Sequence, residues 1–277
     1  MEFVDQAFAR RLEAAEEIPQ VYYAWLYQKL RPEVNAAAEP ISGGHMVFAG
    51  VGSLMGRAVG LGFEGPVSAA DLDRLEDFYR SRGAPAQLDV CPLTDGGLMA
   101  MVKERGYGLF ELNNVLYRRL AGDEEMGPVP AGSQLRAGRN EEAEVFSGIL
   151  ESSFFPNGDA PDDFGAMVTP LFQMEGALTF VAEMGGKTAA CGAGLIIPER
   201  KLVALFGAGT LAEFRGRGLQ TALLRLRMQV AAQAGCEVAV IVTQGGTTSE
   251  RNAQRLGFQV AYSKATLIRK FDRRQAA

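Results

Sequence analysis

The stretch that decides the fold of this chain runs from residue 213 to residue 223 and reads EFRGRGLQTAL. From Leu219 onward, apolar residues recur with the spacing of a helix packed on a core; they are Leu219, Ala222, Leu223, Leu226 and Val230. The apolar run 202–206 before the stretch predicts a buried strand. The predicted order is therefore a strand, a loop rich in Gly and Arg, and a helix.

This loop has the properties of a binding site for a phosphorylated ligand. A helix N-terminus offers unpaired N–H donors and the positive end of the helix dipole. Gly216 and Gly218 allow a ligand to approach the backbone closely, and Arg215 and Arg217 add positive charge. The alternative interpretation is a solvated basic turn.

Two motifs resemble the GNAT superfamily of N-acetyltransferases. The pattern Arg215-x-x-Gly218-x-Gln220 resembles the acyl-CoA signature of that family, which prefers Gly or Ala where this chain has Gln220. Downstream, Leu256-Gly257-Phe258 resembles the end of a later helix of the family, which precedes the final strands. The resemblance covers the chain from Gln134 onward.

The resemblance implies acetyl-CoA as the co-substrate. The strand that ends at Ala208, Gly209 and Thr210 would expose its backbone to the pantetheine arm and the thioester, because it splays from the next strand in the family. Ser249 and Asn252 would bind the pantetheine, or alternatively cap their own helix. The implied cofactor-binding residues are Ala208, Gly209, Thr210, Arg215, Gly216, Arg217, Gly218, Leu219, Gln220, Thr221, Ser249 and Asn252.

The implied reaction is transfer of an acetyl group to a primary amine by direct attack in a ternary complex. In many relatives a tyrosine five residues before the phenylalanine of Leu-Gly-Phe protonates the leaving thiolate, but here that position is Ala253. Tyr262 is the nearest substitute in the sequence, and its alternative role is that of an ordinary strand aromatic. No carboxylate stands out as the general base; Glu199 and Glu213 are the candidates, and a water relay would also serve.

A non-catalytic acyl-CoA-binding or regulatory module is the rival hypothesis, because the tyrosine and an evident base are missing. For an enzyme, the acceptor is a small-molecule or peptide amine. The polar segment 155–163 contains three aspartates that would favour a cationic acceptor, or it is simply a solvated acidic loop.

The two halves of the chain share a pattern that predicts an internal duplication. Tyr107 and Phe258 are each followed nine residues later by a similar apolar and basic segment, 116–120 and 267–271. We predict an α/β (α+β) fold with two tandem GNAT-like domains, each a mixed, mostly antiparallel sheet flanked by helices. The predicted boundaries are 1–120, a linker at 121–132 rich in Gly, Pro and acid, and 133–277. In the first half Pro66 takes the place of Gly218, which predicts a degenerate cofactor site because proline has no N–H.

Composition narrows the possible partners. The net charge is −5 and the 277 residues show no broad basic field, so we expect no nucleic acid and no membrane as partners. Three dispersed cysteines and one histidine, His45, argue against disulfides and against a metal site. The first residues lack the basic region and apolar core of a signal peptide, and we expect a cytoplasmic protein, with a homodimer as one possible assembly.

Overall fold

A computed structural model describes residues 3–94 and 96–271. The chain forms two compact units. The first unit contains the described residues of segments 1–116, 243–247 and 260–277, and the second unit contains residues 117–242 and 248–259.

Helices and strands are both present in each unit, and we number them in order along the chain. The helices are α1 (Gln6–Leu30), α2 (Ala69–Arg80), α3 (Gly97–Glu104), α4 (Ala143–Phe154), α5 (Phe164–Val168), α6 (Leu219–Gln233) and α7 (Thr248–Arg255). The strands are β1 (Ala37–Ile41), β2 (Gly44–Phe48), β3 (Ala86–Val90), β4 (Gly108–Arg119), β5 (Ser133–Ala137), β6 (Ala177–Met184), β7 (Lys187–Ile197), β8 (Leu202–Thr210), β9 (Val238–Gln244) and β10 (Gln259–Arg269).

The first unit combines a hairpin with a second group of strands. β1 and β2 pair antiparallel, and α1 packs on both. β10 lies between β3 and β4 and pairs antiparallel with β3 from Ala265 opposite Val90 to Arg269 opposite Ala86. The core of this unit joins α2, α3 and these strands through side chains such as Leu72, Leu75 and Leu88.

The second unit contains a mixed, mostly antiparallel sheet. Its strand order is β9-β8-β7-β6-β5, with antiparallel pairs from β5 to β8 and a parallel pair between β8 and β9. The parallel pairing extends only from Leu202–Val238 to Ala204–Val240, although β8 continues to Thr210. Helices α4 and α6 pack on this sheet, so the predicted α/β class is confirmed.

Local sequence signals account for several of the element boundaries. α2 begins after Ser68, whose hydroxyl accepts from the N–H of Asp71 while the Asp71 carboxylate accepts from the N–H of Ser68, the reciprocal arrangement of a capping box. Gly185 and Gly186 both have positive φ and connect β6 to β7 as a hairpin. α6 begins at Leu219, immediately after the Gly/Arg loop, as predicted.

The compact units divide the chain at positions other than the predicted domain boundaries. Residues 260–271 lie within the predicted second domain, 133–277, yet they belong to the first unit, where β10 pairs with β3. Segment 121–132 contains no helix or strand and lies within the second unit, where Glu124 forms an ion pair with Arg118 at 2.9 Å.

A buried ionic cluster connects α1, β3 and β10 within the first unit. The ammonium of Lys264, whose side chain is 1% exposed, contacts the carboxylates of Glu13 at 3.1 Å and Asp89 at 3.2 Å, and also that of Glu16. Desolvation alone would lower the pKa of Lys264, but the three carboxylates raise it well above its ordinary value, so the ammonium stays charged. Arg57 pairs with Asp89 at 3.0 Å and with Glu16 at 2.7 Å.

Among the described residues, no helix is both long and apolar enough to cross a membrane.

Replacing Lys264 by Met should destabilise the protein by about 3–5 kcal/mol, because it leaves the buried Glu13 carboxylate without its cation, whereas Glu16 and Asp89 keep Arg57. Urea unfolding followed by circular dichroism measures this change. Lys201→Met is the matched control, since Lys201 is 64% exposed and pairs with Glu237 at the surface, where an ion pair contributes about 0–1 kcal/mol. Equal midpoints for the two variants would contradict a stabilising role for the cluster.

Candidate acyl-CoA site

The loop before α6 leaves the N-terminus of that helix open. Gly218 is the N-cap residue with φ +81°, and Gly216 has φ +77°, a backbone region that favours glycine. In the part of the chain that the structure describes, no side chain caps this helix, and residues 215–218 are exposed. The first N–H groups of α6 are therefore available to an anion.

The two arginines of the loop are held by backbone carbonyls rather than by carboxylates. Arg215 Nε donates to the carbonyl of Thr210 at 3.1 Å, and Arg217 Nη2 donates to the carbonyl of Glu213 at 3.1 Å. Within residues 3–94 and 96–271, neither arginine forms a salt bridge, so both guanidinium groups keep their positive charge free of a direct carboxylate contact beside the helix dipole.

Leu219 and Gln220 point away from solvent at the start of α6. The Leu219 side chain is 2% exposed and packs in a core with Ala189, Ala190 and Leu223. Gln220 Nε2 donates to the carbonyl of Cys191 at 2.9 Å and to that of Gly209. The departure at Gln220 is thereby explained, because its side chain binds the neighbouring strands and leaves the helix N-terminus clear; Thr221, the next residue, is half-buried.

The end of β8 is shaped by close packing of α4. A Cβ on Gly209 would lie 2.7 Å from Ser153 Oγ and 2.8 Å from the carbonyl oxygen of Ile149, so only glycine fits there. The N–H of Thr210 donates to Ser153 Oγ at 3.2 Å, whereas its own hydroxyl oxygen is buried and has no hydrogen-bond partner in the described part of the chain. Ala208 is half-buried on this segment.

Strand β8 also loses its regular register near the site. Ala193 pairs with Phe206 and Cys191 pairs with Gly209, so β8 carries one more residue than β7 between these pairs. Gly207, inside this interval, has φ +54°. The arrangement is a β-bulge with a left-handed glycine, which bends a strand and redirects its edge.

Ser249 and Asn252 lie on α7, apart from the loop in sequence. Ser249 is exposed and Asn252 is half-buried. Among the described residues, neither side chain hydrogen-bonds to loop 211–218. Their part in cofactor binding stays a prediction.

Tyr262 has a buried partner. Its side chain lies in the first unit, and its hydroxyl donates to Glu13 Oε1 at 2.7 Å. Burial, together with the nearby Glu13 carboxylate, raises the pKa of Tyr262 far above its ordinary value. These contacts favour the packing alternative, and the role of proton donor stays a hypothesis that the variant Tyr262→Phe can test.

Most of the remaining candidate catalytic or acceptor-binding residues are exposed, and His45 contacts a carboxylate in the first unit. Glu199 and Glu213 are exposed, as are Asp159 and Asp162 of segment 155–163. His45 Nδ1 lies 2.8 Å from Glu17 Oε1 in the first unit. Over residues 3–94 and 96–271, no group of three or more His, Cys, Asp or Glu side chains is placed to hold a metal ion.

Sequence reasoning missed Ser153 and Arg227. Arg227 is 2% exposed, and its guanidinium donates to the carbonyls of Leu223, Ala193 and Phe206. An arginine within an amphipathic helix ordinarily predicts a solvated position, so no local signal marked it.

Comparisons with known proteins agree with this geometry. The model of the acetyltransferase (GNAT) family matches residues 146–258. A search of curated protein sequences gave no significant match. A GCN5-related N-acetyltransferase from Kribbella flavida superposes with a TM-score of 0.64 at 18% identity, over 90% of this chain and 96% of that one.

Two further solved structures share the fold. A GCN5-related N-acetyltransferase from Sphaerobacter thermophilus has a TM-score of 0.57 at 18% identity, over 73% of this chain and 66% of the other. A tandem GNAT protein from the clavulanic acid biosynthesis pathway has a TM-score of 0.55 at 15% identity, over 72% of this chain and 68% of the other.

The fold and the matched segment define an acyltransferase domain of the type that uses acyl-CoA. The family is the GNAT acetyltransferase family, to which residues 146–258 belong, so the resemblance carried by the Gly/Arg loop and by Leu256-Gly257-Phe258 is confirmed.

Gly218→Glu should abolish acetyl-CoA binding, because it places a bulky anion at the open N-terminus of α6. Calorimetric titration with acetyl-CoA measures the loss. Gly235→Glu is the control, since Gly235 also has positive φ and open space but follows the other end of the helix. Wild-type affinity in the Gly218 variant would show that the site is misplaced.

Proposed function

We propose that the second unit transfers an acetyl group from acetyl-CoA to a primary amine by direct attack in a ternary complex. The observation that carries the proposal is the open N-terminus of α6 beside two arginines that lack carboxylate partners in the described chain. A pyrophosphate would accept hydrogen bonds from this N-terminus and gain from the local positive charge.

The path of β8 supports the proposal that the acyl group of acetyl-CoA binds along the end of this strand. Beyond Ala204 this strand has no register with β9, and the Thr210 hydroxyl is buried without a partner among the described residues. Backbone N–H and C=O groups along this edge can bind an extended pantetheine arm, and an N–H there can polarise the thioester carbonyl.

The proposed acetyl transfer needs little general acid catalysis. The amine nitrogen attacks the carbonyl carbon, the new C–N bond forms, and the C–S bond breaks. The sulfur leaves as a thiolate, which is a good leaving group because thiols have a pKa of about 8.5. Asp159, Asp162 and Asp163 of segment 155–163 would attract the amine in its cationic form. A water or a side chain takes the ammonium proton before the neutral amine attacks.

The acceptor is a small-molecule or peptide amine in this proposal. The first unit would be a degenerate GNAT-like domain, because Pro66 offers no N–H to a phosphate. A cytoplasmic location and a homodimer stay predictions from the sequence.

A non-catalytic acyl-CoA-binding module is the second candidate, and the contacts of Tyr262 favour it. A tyrosine whose hydroxyl donates a hydrogen bond to a buried carboxylate is poorly suited to protonate a thiolate. Binding without turnover across a broad panel of amines would identify this alternative.

Titration of acetyl-CoA into the protein should reveal one site per chain with micromolar affinity, and NAD should not bind. Isothermal calorimetry makes both measurements, and release of free thiol in the presence of amines then measures turnover. Two sites per chain would mean that the first unit also binds the cofactor, and no binding would overturn the proposal.

Tyr262→Phe should lower the free energy of unfolding by about 1–3 kcal/mol, because buried Glu13 loses a hydrogen-bond donor. We expect kcat per folded molecule to change less than threefold. Denaturation midpoints and thiol-release rates provide the two measurements. A fall in kcat of a hundredfold or more, with folding intact, would instead identify Tyr262 as the proton donor.

A further inference from the structure

Arg227 is a buried cation that has no carboxylate partner. Within the described residues it forms no salt bridge. Its guanidinium donates to three backbone carbonyls: Nε to Leu223 at 3.2 Å, and Nη1 to Phe206 at 3.3 Å and to Ala193. Burial lowers the pKa of Arg227 to about 10, so the group remains charged at neutral pH. Burying an unpaired charge is costly, which calls for a specific reason at this position.

Two of the carbonyls that Arg227 binds, those of Ala193 and Phe206, mark one side of the bulge in β8. Ala193 and Phe206 are the last regular pair before the register shifts. Carbonyls next to a bulge lose ladder partners and need other donors. Arg227 supplies those donors from α6.

Gln220 does the same on the other side of the bulge. Its amide donates to the carbonyls of Cys191 and Gly209, which form the next pair after the shift. Positions 220 and 227 are seven residues, about two helical turns, apart, and so lie on one face of α6. Two side chains of one helix therefore hold the irregular segment 206–209 from both ends.

The sequence also leaves room for the guanidinium. A Cβ on Gly192 would lie 2.7 Å from Arg227 Cζ and 2.8 Å from Nη2. The glycine in β7 and the arginine in α6 thus form a matched pair.

We propose that Arg227 is a positioning residue for the acyl arm of acyl-CoA, because it fixes the bulged path of β8 that presents this strand's free edge to the pantetheine and thioester. The inference rests on the proposed function of the second unit. It is distinct from pyrophosphate binding, since the hydrogen bonds of the Arg227 guanidinium within the described residues go to Leu223, Phe206 and Ala193 and not to loop 211–218.

Arg227→Met tests the proposal through two ligands. ADP carries a pyrophosphate but lacks the pantetheine arm and the thioester. We expect the variant to bind ADP within twofold of wild type, to bind acetyl-CoA at least tenfold more weakly, and to lose kcat. Arg225→Met is the control on the same helix, because Arg225 is half-buried and binds no strand carbonyl. Arg227→Lys should recover part of the acetyl-CoA affinity.

Gly192→Ala provides a second route if removal of the arginine prevents folding. The added methyl displaces the guanidinium without deleting it, and the variant should reproduce the selective loss of acetyl-CoA affinity. Gly148→Ala is its control, because a Cβ there meets nothing within 4 Å.

The outcomes separate the two proposals. If wild-type protein binds no acetyl-CoA, the proposed function fails and this inference fails with it. If wild type binds acetyl-CoA and the Arg227 and Gly192 variants bind it equally well, only the role of Arg227 is overturned. Equal losses for ADP and acetyl-CoA would also overturn it, because they would indicate a general structural defect.

Discussion

Strand β8 has β7 as a neighbour along its length but β9 only as far as Ala204. Every backbone N–H and C=O group that leaves a sheet ladder must find another partner or remain in water. In this chain the departure of β8 is stabilised by side chains from two helices. Ser153 of α4 binds the N–H of Thr210, while Gln220 and Arg227 of α6 bind carbonyls on both sides of the bulge. These polar contacts surround the segment in which β8 is no longer paired with β9, and the proposed site lies along that segment.

Local signals predicted the parts of the fold that local physics controls. The start of α6 at Leu219 was predicted, because it depends on residues close together in sequence. The capping box at Ser68 and the Gly185-Gly186 hairpin have the same local origin. The prediction of which residues of α6 pack on the core was less accurate. Leu226 and Val230 are only half-buried, whereas Arg227 and Met228 are buried. The bulged strands offer carbonyls to the face of α6 that carries Arg227, and a periodicity of apolar residues contains no information about them.

The features of the candidate site also divide into those that the local sequence predicts and those that it does not. The glycine-rich loop and its exposed arginines were predictable, because their conformations and charges belong to the segment itself. The roles of Gln220 and Tyr262 were not, because each depends on a partner distant in sequence, such as Cys191 or Glu13. The same limitation applies to β10, whose pairing with β3 could not be predicted from the repeat of helix and strand in the two halves.

The position of β10 has a consequence for synthesis on the ribosome. Lys264 reaches Glu13 across 251 positions of sequence, and both belong to the first unit. While residues 1–116 emerge, β3 and β4 therefore lack the strand that lies between them, and the carboxylates of Glu13, Glu16 and Asp89 lack their ammonium. The N-terminal part of the nascent chain must wait for residues made more than a hundred positions later, and such non-local closure is slow and leaves strand edges exposed. The unit whose first residues are translated first is thus completed last. Protection by chaperones during translation is therefore more important for this unit than for the segment that carries the Gly/Arg loop.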